Sequence, residues 1–254
     1  MRYLLNTAGL QEVAAAVAQQ PLLAFDFDGT LAPIVPVPDN AYAPMSVSTA
    51  MQRLCAIAPV AIVTGRSIDD VSARLAFEPK YIIGNHGAEG MAEVDTDALD
   101  QVMRQWLAQF EAGSITLPEG VTLERKRFSL SLHYRLARDR DAAQAAVLQL
   151  AQTLQPLPDL IGGKCVLNLL PPGAPNKFSA IQSLLLREGR SAAVFVGDDE
   201  TDEIAFRQAP PGWLTVRVEH ADHSAARFYL GHQSEMAHLI QIIEEQWRAA
   251  FGPR

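Results

Sequence analysis

The stretch Leu22-Leu23-Ala24-Phe25-Asp26-Phe27-Asp28-Gly29-Thr30 constrains this chain more than any other. Its apolar opening, Leu22 to Phe25, reads as a strand buried on both faces, the kind found in a parallel sheet covered by helices on each side. The run stops abruptly at two aspartates one residue apart. Strand side chains alternate, so Asp26 and Asp28 project the same way from the carboxyl end of the strand. Gly29 permits a sharp turn with positive φ. Such a turn presents carboxylates and leaves backbone N–H groups free, which suits Mg²⁺ and a phosphate. A bare Asp-Gly is commonly just an acidic turn, so the chemistry has to be argued from the rest of the chain.

The remaining pattern is one of alternating helices and strands. Residues 3–19 have helix-forming composition with Leu4, Leu5, Leu10, Val13 and Val17 on one stripe. The segment Ala32 to Pro38 is too rich in proline for a helix or a central strand and reads as a stiff loop. A helix over 46–57 precedes a second buried strand at 59–63, which ends in Thr64-Gly65-Arg66-Ser67 with Ser67 placed to cap a helix running to Leu75. A third strand, Tyr81-Ile82-Ile83, ends in Gly84-Asn85-His86-Gly87-Ala88-Glu89. Further on, a helix over 177–187 precedes the strand 192–196, which ends in Gly197-Asp198-Asp199-Glu200-Thr201-Asp202-Glu203. Strands at 214–218 and 227–230 and a helix over 235–250 close the chain. This is the signature of an α/β fold with a doubly wound, mostly parallel sheet.

Between these parts the pattern changes. A helix over 97–110, strands at 121–126 and 129–135, a helix over 139–154 and a strand pair over 157–169 around Gly162-Gly163 repeat a helix–strand–strand unit. A proline-rich return segment, 171–175, follows. The expected organisation is a core domain from 1–92 and 173–254, with a small α+β domain inserted at 93–172.

Composition narrows the partners. The chain has 254 residues, 48% of them hydrophobic, and a formal net charge of −8, which disfavours nucleic acid as a partner. No window approaches a membrane span, and the first twenty residues lack a basic start and a continuous apolar run, so no membrane partner is expected. Cys55 and Cys165 lie far apart among apolar residues, as buried free thiols do, which suits a reducing, cytoplasmic setting.

In an open α/β sheet, ligands bind beyond the carboxyl ends of the strands. Asp26 and Asp28, Thr64, and the Asp198, Asp199 and Asp202 group all follow strand ends, and Lys177 begins a helix. A cation at a helix N-terminus is mildly unfavourable, so Lys177 needs an anionic partner there. Asp198 and Asp199 precede their helix, so complementing its dipole does not account for them. A carboxylate cannot approach a phosphate dianion unless a cation and a lysine screen the repulsion. The chain supplies candidates for both.

These four motifs, in this order, resemble the four signatures of the haloacid dehalogenase-like phosphatases. By that resemblance Asp26 is the nucleophile that becomes an aspartyl-phosphate, and Asp28 is the general acid and then the general base. Thr64 and Lys177 would bind the phosphoryl oxygens, while Asp26, the Asp28 carbonyl and Asp198 would hold Mg²⁺, with Asp199 and Asp202 beside them.

Three longer strings, Asp28 to Ile34, Gly84 to Glu89 and Gly197 to Glu203, resemble trehalose-6-phosphate phosphatases over about residues 21–210. The resemblance implies an inserted cap and a sugar phosphate, trehalose 6-phosphate, as the small-molecule partner of a monomer or weak oligomer. Gly29, Gly65, Arg66, Asn85, His86 and Gly87 would line the substrate site of the core. In the insert, Glu124, Lys126, Ser129, His133, Arg135 and Asn168 would meet the sugar. Alternation puts Glu124 and Lys126 on one face, and Ser129, Ser131, His133 and Arg135 on one face of the next strand. The sequence departs from the family at Asn168 and Leu170, where the family carries a glutamate and a basic residue, and at Phe178, where it prefers glycine. The alternatives are a phosphatase of sucrose 6-phosphate or mannosyl-phosphoglycerate, a phosphomutase, and a non-catalytic sugar-phosphate sensor.

Overall fold

In the computed structural model, which describes residues 1–252 apart from 114 and 164, the chain divides into two compact units. The strand pair read over 157–169 and the core's end at 254 therefore fall partly outside the described residues. One unit comprises Met1–Met91 and the chain from Asn176 onward; the other is Ala92–Pro175.

The first part of the larger unit contains β1 (Arg2–Tyr3), α1 (Thr7–Val17), β2 (Leu22–Phe25), α2 (Met45–Cys55), β3 (Val60–Val63), α3 (Ile68–Ser72) and β4 (Tyr81–Ile83). The smaller unit follows with α4 (Thr96–Glu111), β5 (Thr122–Arg125), β6 (Leu130–His133), α5 (Arg140–Thr153), β7 (Asp159–Gly163) and β8 (Val166–Leu170). The chain then completes the larger unit with α6 (Lys177–Glu188), β9 (Ala193–Gly197), α7 (Glu200–Gln208), β10 (Leu214–Val218), β11 (Phe228–Leu230) and α8 (Met236–Phe251).

The seven strands of the larger unit pair in parallel in the order β1-β11-β10-β9-β2-β3-β4. Their apolar runs split by alternation. Leu23, Phe25, Ile62 and Val196 join the core formed with Val13, Met51 and Ile240 of α1, α2 and α8. Leu22, Ala24, Ala61 and Phe195 join Ile181 and Phe206 of α6 and α7 on the other face. Each large side chain removed from water in this way contributes roughly 1.5–3 kcal/mol, which is why such runs are apolar throughout. From β2 the chain moves through α2 to β3, while its other neighbour β9 leads through α7 to β10, away from it. The winding direction therefore reverses between β2 and β9, and the crevice beyond their carboxyl ends is where such sheets bind ligands.

The expected helix over 3–19 is corrected at its start. Arg2–Tyr3 pairs with Phe228–Tyr229 as an edge strand. The helix begins at Thr7 because Asn6 caps it, its side chain accepting the Gly9 N–H at 2.9 Å. Among the described residues, no helix is long and apolar enough to cross a membrane.

In the smaller unit the antiparallel order is β5-β6-β8-β7. Leu130, Leu132, Leu167 and Leu169 pack with Trp106 of α4 and Val147 of α5. The intervening positions form a row across the sheet, Glu124 opposite Ser131 and Ser131 opposite Asn168. Strands β5 and β6 are shorter than the sequence reading, so Lys126, Ser129 and Arg135 lie beyond their ends.

Candidate active site

The carboxyl end of β2 delivers Asp26 into the interior, where it is 5% exposed and its N–H is held by the Val196 carbonyl at 2.9 Å. Lys177, the first residue of α6, reaches it there. Its Nζ lies 3.0 Å from Asp26 Oδ1 and 2.7 Å from Asp202 Oδ1, and the lysine is 1% exposed. The helix that carries Lys177 starts where it does because Asn176 caps it reciprocally with Ser179. The two carboxylate partners thus supply what a lysine at a helix N-terminus lacks. Asp202 also reaches back from the first turn of α7, and its second oxygen accepts the N–H groups of Asp198 and Asp199 at 2.9 and 3.0 Å.

Two glycines make this closeness possible. Gly29 has φ of +73°, and a Cβ there would come within 1.9 Å of Asp198 Oδ2. A Cβ on Gly197 would lie 2.3 Å from Asp202 Cγ. Neither position tolerates a side chain without moving a carboxylate.

The electrostatics are unbalanced. Oxygens of Asp26, Asp198 and Asp202 lie within 4.8 Å of one another. Burial pushes Asp26 up to about 7, helped by the Asp202 charge and opposed by Lys177. Burial likewise raises Asp198 well above the ordinary carboxylate value, followed by the Asp26 charge. For Lys177 burial opposes ionisation, but Asp202 and Asp26 more than offset it and hold the ammonium above its ordinary value. One ammonium among three carboxylates leaves a deficit of positive charge. The donors are hard oxygens, which fit a cation such as Mg²⁺ rather than a soft metal.

Asp28 takes a different path. Its two oxygens accept a bidentate pair of hydrogen bonds from Arg66 Nε and Nη2, each at 2.7 Å. Arg66 in turn donates to Asp70 Oδ2 at 2.7 Å and to the Pro38 carbonyl at 2.9 Å. Asp70 is also held by Arg74 at 2.6 Å. Nearly all of the Arg66 donors are spent on protein partners.

Thr64 is fully buried after β3, and its hydroxyl oxygen accepts the Arg66 N–H at 3.2 Å. The turn after β4 folds onto it, with the His86 N–H donating to the Thr64 carbonyl and the Asn85 N–H to the Arg66 carbonyl, at 2.9 and 2.8 Å. Gly65 gives the His86 ring its place, since a Cβ on it would meet the ring at 2.4 Å. Gly87 packs on Asn176, just before Lys177. The Nδ2 of Asn85 is buried without an acceptor among the described residues. The side chain of Asp199, by contrast, is exposed and is not one of the three clustered carboxylates.

A model of the family described as trehalose-phosphatase matches residues 24–233, from the strand that carries Asp26 to the approach of the last helix. The chain belongs to the trehalose-phosphatase family. A trehalose-phosphate phosphatase of Mycobacterium bovis (strain BCG / Pasteur 1173P2) is 34% identical over 251 residues, covering 92% of this chain. The chain spans 64% of that relative's length. A solved structure described as a trehalose-6-phosphate phosphatase related protein is 28% identical, with a TM-score of 0.67 over 88% of this chain and 97% of that one. The trehalose-6-phosphate phosphatase of Aspergillus fumigatus shares the fold at 24% identity, with a TM-score of 0.67 over 96% of this chain and 99% of that one.

Within this trehalose-phosphatase family member, the residues expected to meet the sugar lie in the smaller unit. Glu124 and His133 touch across the sheet, Oε2 to Nε2, at 2.8 Å. Asn168 accepts the Ser131 hydroxyl at 2.7 Å and donates to the Ile161 carbonyl at 3.3 Å, so both ends of its amide are engaged within the sheet. Lys126 is half-buried, Ser129 is buried and Arg135 is exposed.

Sequence reasoning missed Thr30, whose hydroxyl lies 3.4 Å from Asp198 Oδ1, and the Asp70–Arg74 pair. The second left a signal, an acid and a base at i and i+4 just after a helix cap.

Proposed function

We propose that this chain is a divalent-cation-dependent phosphatase that hydrolyses trehalose 6-phosphate to trehalose and phosphate. The observation that carries the reading is the convergence of Asp26, Asp198 and Asp202 around the buried ammonium of Lys177 in a trehalose-phosphatase family member. Asp26, Asp198 and the Asp28 carbonyl would hold Mg²⁺, with Asp199 further out. The bound cation would neutralise charge on the phosphoryl oxygens and on the carboxylates.

The chain's own residues divide the rest of the work. An oxygen of Asp26 attacks phosphorus while the bond from phosphorus to the sugar oxygen breaks. Protonated Asp28 gives its proton to that departing oxygen. A water then attacks the aspartyl-phosphate, Asp28 takes a proton from it, and the bond from phosphorus to Asp26 breaks, releasing phosphate. Lys177 lowers the repulsion that Asp26 meets on approach. Thr64 already accepts a hydrogen bond through its oxygen, which leaves its hydroxyl proton for a phosphoryl oxygen. Asn85 Nδ2 is a further donor. The smaller unit would be the expected cap, and its exposed Glu124 and His133 would read sugar hydroxyls.

Phosphate release from a panel of phosphorylated sugars, with Mg²⁺ and with EDTA, tests this. Trehalose 6-phosphate should rank among the best substrates and EDTA should abolish release. Release unaffected by EDTA removes the cation from the reading. A strong preference for another sugar phosphate reassigns the substrate and leaves the chemistry in place, whereas recovery of an isomeric phosphate would mean a mutase.

A further inference from the structure

Asp28, Arg66, Asp70, Arg74 and Asp39 form one continuous chain of charges in the larger unit. Arg66 grips both oxygens of Asp28, and Asp70 bridges Arg66 and Arg74 with contacts of 2.7 and 2.6 Å. Arg74 Nη2 reaches Asp39 Oδ1 at 3.2 Å. The two arginine side chains are 11% and 8% exposed and so are held against the protein, while Asp39 at the end of the chain of charges is 87% exposed. The Arg66 guanidinium also lies 5.7 Å from the centre of the Phe27 ring, and Arg74 lies 5.5 Å from that of Tyr42. Arg66 is thereby fixed from several sides, and it fixes Asp28 in turn.

A bidentate guanidinium pair sets the plane and direction of a carboxylate as well as holding it. Each Asp28 oxygen keeps a lone pair outside the pair. We propose that Arg66, braced by Asp70 and Arg74, is a positioning residue that aims the free lone pairs of Asp28 for proton transfer, including the transfer from water in the second half of the cycle, the hydrolysis of the aspartyl-phosphate. The inference rests on the assignment of Asp26 and Asp28 made above.

p-Nitrophenyl phosphate separates the halves, because its leaving group departs without a proton and the first half then needs no acid. With Asp70→Asn, rapid mixing should give a burst of p-nitrophenolate approaching one equivalent of enzyme, then a steady rate lower by roughly tenfold or more. Acid quench should trap the phosphoenzyme, and Asp70→Glu should restore the steady rate. The wild-type trace should lack the burst. A steady rate that falls without a burst, or does not change, overturns the proposal. If Asp70→Asn does not fold, as judged by circular dichroism, Arg74→Lys is read the same way. Asp28→Asn distinguishes the two levels of failure. A burst in Asp28→Asn but in neither brace variant sinks the brace alone, whereas no burst in Asp28→Asn sinks the role given to Asp28.

Discussion

Two ion-pair systems leave the same strand end within three residues of each other, and they are built on opposite physics. Asp26 is buried against Lys177, with burial as the dominant influence, and its carboxyl is pushed up to about 7. Asp28 has a side chain 33% exposed and is gripped by Arg66. The next acid in that second system, Asp70, is lowered from its ordinary value, chiefly by its hydrogen bond from Arg74. The first system is short of positive charge and calls for a cation. In the second, Arg66 and Arg74 match Asp28 and Asp70 within the chain, and the extra acid at its end, Asp39, is 87% exposed. One residue type thus acquires two characters from two environments, which suits the two different roles proposed for Asp26 and Asp28.

The most severe way to break this contrast is to remove the charge that has the least compensation. Asp26→Asn should lower turnover by at least about a thousandfold, because the proposed nucleophile is gone. Its thermal stability in EDTA should be no lower than that of the wild type, since a buried like-charge contact is relieved. Steady-state kinetics and a melting curve check both parts. A clear loss of stability in EDTA would mean that the Asp26–Lys177 pair is a structural bridge first.

Lys177→Met is the complementary break. It leaves Asp26 and Asp202 buried without their ammonium, and removing one partner of a buried pair costs about 3–5 kcal/mol. Urea unfolding in EDTA should report a loss of that size, and Mg²⁺ should recover part of it. A loss below about 1 kcal/mol, the range of an exposed pair, would contradict the burial argument.

Milder still is the pH response, where the two systems should move in opposite directions. Asp26 has a folded value of about 7, above its unfolded value, so its contribution is fully present below the ordinary carboxylate range. It is lost as pH rises through 7. Asp70 has a lowered folded value, so its contribution is present above its unfolded value and lost as pH falls through the folded one. Melting temperatures measured in EDTA should therefore rise, for Asp26→Asn relative to wild type, as pH goes from 4 to 8. Those of Asp70→Asn should converge on wild type at the acid end. A pH-independent difference for Asp26→Asn would sink the first half of the comparison.

How much of this was legible in the sequence follows from the same physics. The strands β2, β3 and β9 were readable because a segment buried on both faces must be apolar at every position. The two-residue strand Arg2–Tyr3 was not, because so short a segment has no period and its pairing partner lies more than two hundred residues away. The motif aspartates were readable as a set, but the contacts that set each of them apart were not. Asp202, set in the first turn of α7, turns back to Lys177, while Asp199 beside the same strand end faces solvent. The grip of Arg66 on Asp28 spans 38 positions and leaves no local trace. Membership of the family was legible from the strings around these residues, and the model matching 24–233 agrees with it.

The smallest expected effect lies in the smaller unit, where the exposed pair of Glu124 and His133 contrasts with both systems of the larger one. Its side chains are 48% and 41% exposed at a separation of 2.8 Å, so solvent screens the pair. Glu124→Gln should change stability by about 0.5 kcal/mol or less. If this face reads sugar hydroxyls, the same substitution should raise KM for trehalose 6-phosphate several-fold and leave the KM for p-nitrophenyl phosphate unchanged, because an aryl phosphate offers no hydroxyls to read. Equal KM values for wild type and Glu124→Gln on both substrates would place sugar recognition elsewhere. The carboxylates of the larger unit would then carry the chemistry with no help from this row.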